Sequence, residues 1–455
     1  MSYFSLSLSS SRRLVLLQTR IRTTSAITCA ATRTFSSTPT KEPSKPLLGF
    51  STSSLGFEHT FIRPVLSSIR QLPEVEAAID QFPSISTVDN LKRASDVFAS
   101  FDKGGREHLA VQAMLAECQQ RLALYEEAVT TIEELRHSSM TSENKVAQQP
   151  TYFEENTILA LAKIKWTMGD FHESEKLCEE IISTYNDLEE TFSSTNLHIA
   201  SAMTGKALSQ LLKMNSLDDA YSVRDFFRVS IKFLERHLPL GNTLPQAAVL
   251  SNGGLAEAIY KIYLEETNDV SVPISPALRF LFQGLQKTAV SESSSNIQII
   301  AASRALEASI QSNLAWGVLN YEKEKSDRLS KASDYAKKSL EFYDAESIIG
   351  KEQLSWVLSV VASCYHQAES AVTAEGLFKS AINKKNIPPG TLTSLQLRDA
   401  YHGYSNLCKQ WDNRDKDAQQ LKEEAEIIES KLPPNWHGKS GIHGSLWFWT
   451  PGEFS

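Results

Sequence analysis

The sequence predicts an all-α protein, and three observations carry that prediction. First, the 455-residue chain has 19 Gly and 16 Pro, where average usage would give about 32 and 23. Second, proline is absent between Pro83 and Pro150, Pro150 and Pro239, Pro276 and Pro388, and Pro389 and Pro433. A proline inside a helix loses a hydrogen bond and clashes with the preceding turn, so long proline-free blocks suit helices. Third, apolar residues within those blocks recur at i, i+3, i+4 and i+7, as in Leu358, Val361, Ala362 and Tyr365. No segment alternates strictly, so no sheet is expected. With 41% apolar and 22% charged residues, the chain can bury a sizeable core, which excludes a disordered protein.

Taken in order, residues 1–40 read as a targeting segment. Arg12, Arg13, Arg20, Arg22 and Arg33 stand there without an acid, Ser and Thr abound, and Leu14, Leu17 and Ile21 share one helical stripe. That composition marks an organellar address rather than part of the fold. The stretch Arg33, Thr34, Phe35, Ser36 resembles the processing site of mitochondrial presequences, which implies cleavage after Phe35. The address is therefore expected to be mitochondrial, most simply the matrix. A plastid transit peptide is the alternative that five arginines on an amphipathic stripe disfavour. The segment carries five of the 46 basic residues and no acid, so the rest of the chain has 41 against 54, a net charge of −13. Phosphate binding depends on Lys and Arg releasing counterions, and that balance opposes nucleic acid as a partner. No stretch approaches the ~20 apolar residues of a membrane span.

Residues 41–104 read as a linker with N-terminal helices, and residues 105–432 as a run of helical hairpins. The Ser/Asn/Gly-rich pieces Ser138–Pro150, Thr267–Pro276, Ser291–Asn296 and Asn386–Thr393 read as loops. Within the run, an apolar–Ala pair, a short turn and a small residue twelve positions on recur three times. Leu115-Ala116 leads to Ala128, Leu161-Ala162 to Ser174, and Val361-Ala362 to Ala374. Weaker copies place their small residue at Ala220, Ala277, Ala332 and Ala418. Residues 433–455 form a Gly- and aromatic-rich tail with Trp436, Trp447-Phe448-Trp449 and Phe454. The tail is expected to cap the final hairpin, or else to dock on a partner or on a second copy.

The spacing resembles the tetratricopeptide repeat family, whose paired helices take small residues where they cross. The Ala332–Ala374 interval is 42 residues, and residues 336–350 with Ala374-Glu375 resemble the longer repeat of kinesin light chains. Successive intervals from Ala128 run 46, 46, 57, 55, 42 and 44 residues, so the hairpins depart from the family's steady length. The resemblance implies a right-handed α-solenoid of about seven stacked hairpins with the first helix of each lining a concave groove. Carrying the family's groove positions over gives Gln120, Arg121, Lys163, Trp166, Trp316, Trp356, His366, Gln367 and Trp411. Four of the seven Trp fall in that set, as binding anchors or as wedges between helices. Arg121 and Lys163 are too dispersed for the carboxylate clamp of chaperone-binding members.

Catalytic patterns fail on inspection. Gly438-Lys439-Ser440 ends like a phosphate loop, but Pro433 stands where the first Gly is required. The same residues miss a nucleophile elbow because Ile442 holds the final Gly position. No HExxH, GxGxxG or EF-hand loop occurs, the five Cys form no CxxC, and Cys118 and Cys178 sit at packing positions. No catalytic residue, metal or cofactor is expected. The expected function is a mitochondrial, non-catalytic scaffold, assembly factor or adaptor that binds a protein or peptide. The alternatives are a pentatricopeptide-like RNA binder, opposed by the charge and the intervals, and an enzyme with an unfamiliar helical site.

Overall fold

Ser84 starts the first long helix: its extended backbone places Oγ to accept from Thr87 N–H at 3.1 Å, the usual N-cap bond. The computed structural model describes Phe57 and residues 61–141, 152–184, 195–237, 311–312, 314–316, 318–319, 327–345, 351–383 and 389–438. All of them belong to one unit, Leu47–Ser455. The targeting segment, Ala277 and the aromatics at 447–454 lie outside the described residues.

The helices are α1 Leu66–Ile69, α2 Pro73–Asp80, α3 Ile85–Asp102, α4 Arg106–Arg121, α5 Tyr125–Thr141, α6 Tyr152–Thr167, α7 Phe171–Thr184, α8 Thr195–Lys213 and α9 Leu217–His237. After residues that include helical Leu314–Trp316 come α10 Arg328–Ala345, α11 Lys351–Gln367, α12 Ala371–Ala381, α13 Thr391–Cys408 and α14 Asp415–Lys431. Short 3-10 turns stand at Arg63–Val65 and Pro434–Trp436. Among the described residues there is no strand. Two expected loop edges are helical instead. Helix α5 continues through Ser138 to Thr141, and α13 begins at Thr391, just past Pro389 and Gly390.

Each helix from α2 to α9, and from α10 to α14, packs against the next, and α6 also meets α8 as α11 meets α13. Burial separates two kinds of helix. Residues 108–119 of α4 and 156–164 of α6 are buried around the whole circumference, as an inner helix must be. Their partners bury one stripe: Ala128, Val129, Ile132 and Leu135 in α5, and Phe171, Ser174, Leu177, Cys178 and Ile181 in α7. The small residues lie at the crossings. Ala116, Ala128, Ala162, Ser174, Ala362 and Ala374 are all fully buried, as are Ala220 and Ala332. Where Ser174 replaces alanine, Ser209 Oγ from α8 donates to its hydroxyl at 3.2 Å, so the polar atom is not stranded. Gly403 serves the same end in α13, since a Cβ there would lie 2.7 Å from the Phe378 ring.

One turn closes three of the hairpins. In each, a residue in the left-handed region follows the first helix: Ala123 at φ 61°, Gly169 at φ 85° and Glu369 at φ 59°. The next N–H then reaches back five residues: Leu124 to Gln119 O at 2.9 Å, Asp170 to Lys165 O at 2.9 Å, and Ser370 to Tyr365 O at 2.9 Å. This is the Schellman motif, which satisfies carbonyls left open at a helix C-terminus. The repeat read from Ala and Ser spacing is thus also a repeat of backbone hydrogen bonds.

Candidate functional site

The groove residues divide into a buried set and an accessible set. Lys163 and Trp166 stand three residues apart on α6, and both are buried, with the ammonium 4.9 Å from the indole centroid. Trp356 is buried on α11, and its indole N–H meets no acceptor among the described residues. These side chains are packing elements in this conformation rather than groove surface, because a neighbouring helix or the tail covers each of the inner helices. Gln120, Arg121 and Trp316 are half-buried. Arg121 pairs with the buried carboxylate of Glu117 at 3.1 Å and covers the Phe82 ring at 5.7 Å.

The accessible set is at the far end of the chain. His366 Nε2 donates to Gln410 Oε1 at 2.7 Å, which brings the end of α11 beside the α13–α14 turn. Gln367 is exposed next to it, and Trp411 is half-buried, like Trp316, under the Arg414 guanidinium, 5.1 Å from its centroid. Arg414 is held in turn. It donates to Glu375 at 2.7 Å and to Asp417 at 2.7 Å, while Tyr404 OH donates to Glu375 at 2.8 Å and Lys379 approaches it at 3.0 Å. Burial pushes the Glu375 carboxyl up, but the Arg414, Lys379 and Tyr404 donors outweigh it and lower its pKa to about 2. The result is a ridge with one large aromatic face, one imidazole and one carboxamide, on a fixed ionic base.

Of the tail, residues 433–438 are described: Gly438 N–H donates to Glu429 on the final hairpin at 2.7 Å, while Trp436 reaches a different hairpin. Trp436 is fully buried against the α6–α7 turn, edge-on to Trp166 at 5.4 Å and to Phe171 at 5.1 Å. Its Nε1–H donates to Thr167 O at 3.1 Å, and Asn435 Nδ2 donates to Gly169 O at 2.7 Å. Thr167 ends α6, so its carbonyl lacks a partner within the helix. The tail supplies that partner from 269 residues away. A second bridge runs alongside, where Thr391 N–H at the start of α13 donates to Tyr125 OH at the start of α5, at 3.1 Å. Replacing Tyr125 with Phe is expected to cost about 1–2 kcal/mol by leaving that N–H without its acceptor. Urea unfolding of the two chains measures it, and equal midpoints would show the bridge to be without weight.

Sequence reasoning named Trp436 but missed Asn435, Thr167, Phe171, Tyr125 and Thr391 as its partners or parallels. The Pro433-Pro434-Asn435-Trp436 run was the available signal for a turn, yet nothing local could name its receptor.

Chemistry suited to catalysis is sparse among the described residues. A cleft of about 310 Å³ between α5, α6 and α7 is lined by Glu133, Arg136, His137, Leu161, Lys165, Glu173 and Leu177. Its charges are of both signs, and Arg136 is engaged by Glu154 and Glu180 at 3.2 and 3.0 Å. Burial pushes the Cys118 thiol up to about 11 and the Cys364 thiol up to about 12, so neither is a thiolate near neutrality. No group of three or more His, Cys, Asp and Glu among the described residues is placed to hold a metal ion. No helix among them is long and apolar enough to cross a membrane. The presequence positions Arg33, Phe35 and Ser36 lie outside the described residues. No protein-family model matches the chain, and no curated protein matches it in sequence.

Proposed function

We propose that the chain is a tetratricopeptide-like α-solenoid, right-handed and of about seven hairpins, that works in mitochondria as a non-catalytic scaffold or adaptor. The observation that carries this reading is the shared turn and the buried small residue twelve places on, in three separate hairpins. Hairpins of this kind cannot bury their apolar faces alone and gain stability by stacking, which leaves their rims and ends free to bind. The partner is a protein or peptide, and it docks on the ridge of His366, Gln367 and Trp411. Trp is enriched among binding anchors, and Trp411 is partly accessible on an ionic base that Arg414 and Glu375 hold in place. The −13 balance outside the targeting segment supports a protein partner over RNA.

Affinity purification of the tagged full chain from mitochondria tests the reading. Wild type should retain a defined protein, and Trp411→Ala should lower its recovery by about fivefold or more with unchanged helical content. If nothing co-purifies with wild type above background, the scaffold reading fails. The address is tested separately by fusing residues 1–45 to a fluorescent protein; a cytosolic or plastid signal would remove it.

A further inference from the structure

The α6–α7 turn has the features of a receptor site, and the tail those of its ligand. The turn offers two carbonyls, Thr167 O and Gly169 O, and two aromatic faces, Trp166 and Phe171. The tail offers two matching donors, the Trp436 indole N–H and the Asn435 carboxamide, on consecutive residues after two prolines. The fit is close. A Cβ on Gly169 would stand 3.1 Å from Trp436 Cδ1 and 3.3 Å from Pro433 Cβ, so the tail backbone and indole sit directly on a position that only glycine leaves open. The equivalent turns at Ala123 and Glu369 carry side chains there, so this receptor is peculiar to one hairpin. The contact also joins residues 266 to 269 positions apart through a few side chains beyond α14.

We propose that the α6–α7 turn is a docking site for a Pro-Pro-Asn-Trp turn, filled in cis by residues 433–436, which thereby form a releasable latch. The latch covers Trp166 and ties the segment after α14 to the α6–α7 turn. Residues 433–436 lie beyond α14 and meet the turn through one fully buried indole, one carboxamide and Pro433. Release needs the indole and two hydrogen bonds to leave, while α13 and α14 keep their contacts with each other. The inference does not depend on the scaffold reading, since it concerns a site and a ligand both present in the chain.

The test uses a fluorescent synthetic peptide of residues 430–441 and the full chain. The peptide should bind the Trp436→Ala chain, whose site is vacated, and should bind wild type at least ~10-fold more weakly because the tail competes in cis. A peptide carrying the same Trp436→Ala change should not bind. Hydrogen exchange at residues 167–171 should speed up in the variant and slow again with peptide. Equal binding to both chains, or none to a variant that keeps its helical signal, overturns the proposal. If the variant loses its helical signal, Asn435→Ala takes its place, with tighter peptide binding than wild type expected and equal binding decisive against the latch.

Discussion

Gly169→Ala is expected to destabilise the chain by about 2–3 kcal/mol, whereas Glu369→Gly and Ala123→Gly should stabilise it by about 0.5–1 kcal/mol. The three positions share one backbone conformation, at φ 85°, 59° and 61°, so the conformational cost of a Cβ is common to all. For an L-residue it is about 1–2 kcal/mol, partly offset because glycine loses more freedom on folding. That difference alone sets the gain expected at 123 and 369. At 169 a second cost is added, because the new methyl would press on Trp436 and Pro433 at 3.1 and 3.3 Å, and overpacking costs about 1–3 kcal/mol. Urea unfolding of the three variants separates the two contributions. If Gly169→Ala costs no more than the backbone difference, the tail is not seated on the turn.

The second large effect is expected at Glu375. Its carboxylate ties α12 to α13 through Tyr404 and to the start of α14 through Arg414, with Lys379 of the same helix beside it. Glu375→Gln should cost about 1–3 kcal/mol at pH 7, the range for removing one member of a charged hydrogen-bonded set. The sign with pH follows from the lowered pKa, about 2 against an ordinary 4.5. The folded chain holds the charged form more tightly than the unfolded chain does. The contribution is therefore complete above about pH 5, and it is lost as pH falls through 4.5 toward 2. Wild type and variant should differ in unfolding midpoint at neutral pH and converge near pH 2–3. A constant difference across that range would assign the loss to packing instead. Because Arg414 also lies over Trp411, the same variant should weaken partner capture through the ridge.

Local chemistry explains which features were legible. Ala116, Ala162 and Ala362 announced the crossings because only a small side chain allows two helices to approach, and that demand recurs at a fixed distance along the chain. The glycine at 169 suits the left-handed conformation that the turn there requires. Glu369 gave no such signal, because the left-handed conformation there is imposed by the hydrogen bonds of the motif and tolerated by an exposed glutamate. The groove positions were harder. Trp166, Trp356 and Trp411 occupy positions that read alike in sequence, yet the first two are buried and the third is half-buried. What differs is the neighbour: Trp436 packs edge-on against Trp166, while Trp411 lies under the Arg414 guanidinium.

The sequence by itself determined the helices, the crossings between paired helices and the acidity of the body outside its basic first segment, since each is set by residues within a few turns of one another. Only the tertiary structure decided which of the candidate anchors face outward and where the tail goes. Asn435 and Trp436 meet carbonyls 266 and 269 residues away, and a backbone carbonyl at a helix end carries no side-chain signature. Its availability depends on the helix ending there and on nothing else arriving first, which is a property of the folded chain alone.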